Sequence, residues 1–144
     1  ALRADTVAAI GIINGAITTL IGAITAQPTA VQTLTNKRIT KRVVNTTSTA
    51  TLTIDSDSYD IAELTAQAAG LTIASPTGTP TAGQSLIIRI KDNGTARSLT
   101  WNSAFRAIGV TLPTTTVISK TVYVGCIWNA ADSKWDVIAV AQEA

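Results

Sequence analysis

Residues 86–101 read Leu86-Ile87-Ile88-Arg89-Ile90-Lys91-Asp92-Asn93-Gly94-Thr95-Ala96-Arg97-Ser98-Leu99-Thr100-Trp101, and they decide the fold class. Leu86, Ile88 and Ile90 fall on one face and Ile87, Arg89 and Lys91 on the other, the period of two of a half-buried strand. The stretch Asp92-Asn93-Gly94-Thr95 then carries Asn-Gly, the strongest short signal for a type I′ turn. Arg97–Trp101 is therefore expected to return as the antiparallel partner of Leu86–Lys91.

Outward from this stretch the same period recurs. Thr121–Trp128 and Lys134–Ala141 read as a second hairpin across the turn Asn129–Ser133. Val122, Val124, Cys126 and Trp128 share one face of its first arm, and Tyr123, Gly125 and Ile127 the other. In the second arm Trp135, Val137 and Ala139 oppose Asp136, Ile138 and Val140. Strands apolar on both faces lie centrally in a sandwich or at a subunit contact. Ile39–Val44, Ala50–Ile54 and Leu71–Ile73 read as short strands, and Ile61–Ala69 as a short helix or an irregular strand. Ser75–Gly83, with two prolines and two glycines, is a loop. The expected fold is mainly β: a β-sandwich or jelly-roll-like head over residues 36–144.

Residues 1–35 follow another period. Ile10, Ile13, Ile17, Leu20 and Ile24 are spaced 3, 4, 3, 4 and place one apolar stripe on a helix. Gln27, Val31 and Leu34 continue the register, although Pro28 is expected to end the first helix. Isoleucine at both core positions of a heptad disfavours dimers and shifts the preference to trimers or larger assemblies. Ile12 and Ile21 widen the apolar face, so the helix needs partners. This region is expected to be an α-helical oligomerisation stem and anchor, although a helix folded back on its own domain fits the pattern too. Gly11, Gly15 and Gly22 each cost about 1 kcal/mol against Ala in a helix interior, and small residues also permit close helix approach. The stretch Val7–Ile24 is short for a membrane span and contains Asn14, Thr18 and Thr19, so no membrane insertion is expected. No signal peptide is recognisable. Ala1 is a residue before which an initiator Met is ordinarily removed, so the chain is expected to be complete.

The chemistry the chain lacks narrows its function. Its 144 residues contain no His and one Cys, Cys126, which excludes an intrachain disulfide, a multi-thiolate zinc site and the commonest general base. Charged residues make up 14% against about 25% in ordinary globular domains. Thr, the commonest residue, supplies an uncharged polar surface that favours strands. Such a composition suits an extracellular, virion-type or fibrous protein better than a cytosolic enzyme. A net charge of +2 is no nucleic-acid footprint. The one basic cluster, Lys37, Arg38, Lys41 and Arg42, reads as a solvated junction or a subunit contact with carboxylates. Asp55, Asp57 and Asp60 offer oxygen ligands, but the Gly and Glu of a calcium loop are missing, and local capping of backbone amides explains them. Asp132 and Asp136 flank a hairpin turn without supporting groups, so no hydrolytic carboxylate pair is expected. No catalytic residue, cofactor or metal is assigned. Trp101, Trp128 and Trp135 are the candidate surface-recognition residues, with packing as their other role.

The residues from Asn36 onward carry a resemblance. Asn36-Lys37-Arg38-Ile39-Thr40, Pro76-Thr77-Gly78-Thr79-Pro80 and the run Ile88–Arg97 with Leu99-Thr100-Trp101 are part of it. Phe105–Pro113, Tyr123-Val124-Gly125 and Trp128–Asp136 complete it. Together they resemble a module of bacteriophage virion proteins described as tail-fibre-like, head-fibre or minor structural proteins. The resemblance implies a β-rich module, trimeric in fibres, with no catalytic residues. The expectation is a non-enzymatic virion structural protein. It would be a homotrimeric head fibre or decoration protein bound to another virion protein on capsid, neck or tail. The alternative is a tail-fibre tip that recognises a host-surface glycan or protein.

Overall fold

A computed structural model describes residues 3–24, 36 and 38–144, with side chains of the helix up to residue 18. The chain divides into two compact units, Ala1–Ile39 and Thr40–Ala144. One N-terminal helix is followed by two β-sheets.

Helix α1 spans Ala4–Ile24. The carbonyl of Arg3 accepts the N–H of Thr6 and Val7 at its start, and Asp5 complements the positive end of the helix dipole. Thr18 bonds back to the Asn14 carbonyl at 2.9 Å. Ile10, Ile13 and Ile17 are 47, 57 and 49% exposed, and off-stripe Ile12 is 74% exposed. Leu20 and Ile24 lie on the helical backbone, but their side chains are outside the described residues. So are Lys37, the stop at Pro28 and the continuation through Gln27, Val31 and Leu34. No helix among the described residues is long and apolar enough to cross a membrane.

The second unit is built as a coil. Its strands are β1 Val43–Thr46, β2 Thr51–Leu52, β3 Ile61–Gln67, β4 Leu71–Ile73, β5 Ser85–Asp92, β6 Leu99–Trp101, β7 Phe105–Ala107, β8 Thr121–Asn129 and β9 Lys134–Gln142. The first six alternate between the sheets. β1, β3 and β5 run parallel in one, and β2, β4 and β6 run parallel in the other. Each turn of the chain thus adds one strand to each sheet, and the second sheet replaces the helices that usually return a parallel connection. The hairpin β8–β9 pairs antiparallel onto β5, and β7 closes the far edge beside β9, giving the order β1-β3-β5-β8-β9-β7.

One core serves both sheets. Leu52, Leu71, Ile73 and Leu99 enter it from the small sheet, and Leu64, Leu86, Ile88, Ile90, Val124 and Val137 from the large one. The alternation expected for Leu86–Lys91 is the observed one, and the Thr121–Ala141 hairpin forms. Of the stretch Ile61–Ala69, which read as helix or irregular strand, Ile61–Gln67 is strand.

The first expected hairpin does not form. β5 takes β3 and β8 as neighbours, while Leu99–Trp101 pairs with β4 in the other sheet. Gly94 has φ +91°, but Asn93 does not share the positive φ that a type I′ turn requires at both central residues. The buried Asp92 redirects the chain instead. Its Oδ1 accepts the N–H of Gly94 at 3.0 Å and of Ser119 at 2.8 Å, and its Oδ2 accepts the Thr116 hydroxyl at 2.7 Å. Five of the seven strand pairs are parallel, against the antiparallel pairing that a jelly roll implies. The face assignment near the end of β9 also changes. Gly125 pairs with Ala139 and Cys126 with Val137, so Ile138 is an extra residue, 55% exposed, and Val140 rather than Ala139 packs on the core.

Candidate functional site

The three aspartates of the Asp55–Asp60 turn organise one end of the coil. Asp55 accepts the N–H of Asp57 at 3.1 Å and the Ser58 hydroxyl at 2.6 Å. Asp57 reaches across to the N–H of Thr79 at 2.8 Å. Asp60 is gripped by Arg42, through its backbone N–H at 2.9 Å and guanidinium Nη2 at 2.9 Å. The Arg42 guanidinium beside it lowers the Asp60 carboxyl to about 2. Arg42 also donates to the Asp57 carbonyl. These carboxylates are thus spent on amides, one hydroxyl and one cation, and the described residues contain no cluster of metal-ligating side chains. Of the basic cluster, Lys41 donates to Ser85 Oγ at 3.4 Å. A polar depression of about 580 Å³ lies between Lys41, Asp57, Thr81 and Gln84.

Gly78 fits this turn closely. Its φ is +93°, and a Cβ there would stand 2.7 Å from Ser56 Oγ and 2.9 Å from the Asp57 backbone nitrogen. The loop 75–83 is therefore pressed against the aspartate turn, with Ser56 donating its hydroxyl to the Thr77 carbonyl at 2.7 Å.

The tryptophans occupy two places. Trp101 packs edge-on against Phe105, with ring centroids 5.4 Å apart, and its Nε1 donates to the Pro113 carbonyl at 2.7 Å. Trp128 and Trp135 pair with each other, centroids 5.3 Å apart and planes tilted by 55°. Trp135 is 1% exposed and Trp128 half-buried. These two line a groove of about 300 Å³ whose opposite wall is Pro76 and Pro80 of the loop 75–83. The structure thus brings together two of the three candidate recognition residues and leaves Trp101 outside, its polar end already bonded.

Asp132 and Asp136 do have supporting groups. Arg106 of β7 donates to Asp136 at 2.7 Å through Nε and to Asp132 at 2.8 Å through Nη2. Asn129 donates to Asp136 at 3.1 Å and, from its Oδ1, accepts the N–H of Ala131 at 3.1 Å. The bond from Arg106 and then that from Asn129 hold the Asp136 carboxyl below its ordinary value, so it is a poor proton donor. The arrangement fastens the β8–β9 turn to β7. Sequence reasoning missed it because Arg106 arrives from a distant three-residue strand. Cys126 is buried in the core, and burial pushes its thiol up to about 12, which leaves no thiolate for nucleophilic chemistry.

The outward face of the large sheet carries a second surface. Val43, Ile61 and Ile87 align across β1, β3 and β5, with Val43 45% and Ile87 37% exposed. The neighbouring row is Asn45, Glu63, Arg89 and Tyr123. There Arg89 pairs with Glu63 at 2.8 Å and lies 5.8 Å from the centre of the Tyr123 ring. That row neutralises itself and contributes little stability as an exposed ion pair.

No family model, curated protein or solved structure matches this chain.

Proposed function

We propose that the chain is a non-enzymatic structural protein of a bacteriophage virion. It is a short trimeric fibre or decoration protein, held to another virion protein through its N-terminal region. The observation that carries this reading is the exposed stripe of Ile10, Ile13 and Ile17 on α1. Apolar area in water costs about 25 cal/mol per Å². Two further copies of the same helix would bury the stripe in register, with isoleucine at both heptad core positions favouring three strands over two. The two sheets read as a small sandwich wound as a coil. The resemblance of residues 36–144 to virion modules supplies the particle context.

Sedimentation velocity on the full chain should give a trimer, and Ile17→Asp should disperse it to monomers with an unchanged β-sheet spectrum. A variant that stays trimeric would move the contacts from the helix to the heads, whose outward Val43–Ile87 face is then the surface to mutate. Gold-labelled antibody against residues 36–144 should decorate intact particles. Particles free of label would sink the virion assignment itself.

A further inference from the structure

The groove between Trp128, Trp135 and the two prolines has features that packing alone does not explain. A buried indole N–H ordinarily finds a hydrogen-bond partner, as that of Trp101 does. Among the described residues neither Trp128 nor Trp135 donates its Nε1 hydrogen to any group, although Trp135 is 1% exposed. Neither nitrogen is sealed off: the one fully enclosed side-chain nitrogen without a partner, among the described residues, is Arg97 Nε. The two indole donors therefore keep access to solvent, and the groove is the space both rings line. The hydroxyls of Thr79 and Ser133, at its two sides, make no hydrogen bond among the described residues either.

Both walls are braced. The proline wall is fixed by the Asp57 bond to Thr79 and by the close seat of Gly78 on Ser56. The tryptophan wall belongs to the β8–β9 turn, which Arg106 clamps through Asp132 and Asp136 and Lys134 ties to the Ser103 carbonyl at 2.8 Å. The two polar networks outside the groove thus hold its width, which lowers the ordering cost of binding.

We infer that this groove is a binding site for a neutral hexopyranose unit of a glycan. No charged side chain lines it, so it offers an acidic sugar no counter-ion. Its volume of about 300 Å³ is at the small end of ligand pockets and accommodates roughly one or two rings. The indole and proline faces suit the C–H face of a pyranose, and the unspent N–H and hydroxyl groups suit its ring of hydroxyls. A proline-rich peptide would use the aromatic wall but has no side-chain groups for the free hydroxyls of Thr79 and Ser133. The groove lies wholly within residues 75–135, so the inference is independent of the helical stem.

The test is a ¹⁵N spectrum of the full chain, in which the three indole N–H signals are assigned by single Trp→Phe variants. Neutral hexoses, their methyl glycosides and their disaccharides are titrated to about 50 mM, since a shallow site of this kind binds in the millimolar range. The Trp128 and Trp135 signals should move with saturation while the Trp101 signal stays. Trp128→Ala should weaken binding about tenfold, the equivalent of one lost stacking contact. The dispersed Ile17→Asp chain should bind like the parent, so failure of the stem leaves this result unaffected. Absence of any saturable shift overturns the inference. So does an equal shift at Trp101, a response to acidic sugars alone, or a response only to a proline-rich peptide.

Discussion

Replacing Asp92 with Ala is expected to cost the β-sheet unit about 3 kcal/mol, because three donors lose one buried charged acceptor together. The Ser119 and Gly94 N–H groups and the Thr116 hydroxyl all end on this carboxylate. Thr116 also accepts the Arg97 N–H at 2.8 Å, so the loss spreads to the entry of β6. Asp92→Asn keeps an acceptor oxygen and should cost roughly half as much. Urea unfolding checks both, with the midpoint falling at constant slope. A loss below about 1 kcal/mol for the alanine variant would refute the role given to Asp92. Acid titration adds a second signature. Burial opposes ionisation of Asp92, but the bonds from Ser119, Thr116 and Gly94 outweigh it and hold the carboxyl below its ordinary value. A depressed folded-state value means stabilisation that is complete above the unfolded value, about pH 4, and is lost as the pH falls below it. The Asn variant should lack that part of the acid limb.

Gln67→Leu is the second large effect, about 3 kcal/mol. Gln67 is wholly buried, and its amide works in both directions. Nε2 donates to the carbonyls of Thr49 at 2.6 Å and Ala69 at 2.9 Å, while Oε1 accepts the Thr49 N–H at 3.1 Å. The side chain thus satisfies backbone at the β1–β2 corner from one coil away. Leucine matches the volume but leaves three backbone groups without partners, each costing about 1 kcal/mol or more. Gln67→Glu should be nearly as damaging at neutral pH, because a carboxylate cannot donate to either carbonyl. Thermal unfolding of the two variants beside the parent decides the point. If leucine is tolerated and glutamate is not, burial of charge rather than loss of the amide clamp governs this position.

These two residues mark where the sequence stops being readable. The inward set Leu86, Ile88 and Ile90 follows from period two, as does the hairpin of residues 121–141. Direction does not follow, because alternation is the same in parallel and antiparallel strands. The Asn93-Gly94 signal therefore suggested a hairpin, while Asp92, a single buried carboxylate contacting residues far along the chain, sent β6 to the other sheet. Gln67 gave no signal, since the alternation set by Ala62 and Leu64 would place it outside, and only the register shift between Leu64 and Gln67 turns it inward. The same kind of break at Ile138 exchanged the faces of Ala139 and Val140. In the candidate groove the tryptophans were visible as aromatic residues. What selects Trp128 and Trp135 over Trp101 is a carbonyl at Pro113, which only the folded chain brings within reach.

The coiled path also sets an order of events during folding. The β8–β9 pair closes across the short turn between Asn129 and Lys134, whereas Val43 meets Ile61, and Ile61 meets Ile87, only after a whole circuit of chain. Distant pairings lose loop entropy before any contact repays it, so they form slowly. The hairpin is the natural nucleus, β5 its first recruit, and β3 and then β1 follow. Pulse-labelled hydrogen exchange should accordingly protect the amide of Val124 before that of Val44. A chain synthesised from its amino end would then assemble its sheets from the carboxyl end, and the coils made first would wait unpaired for the hairpin made last.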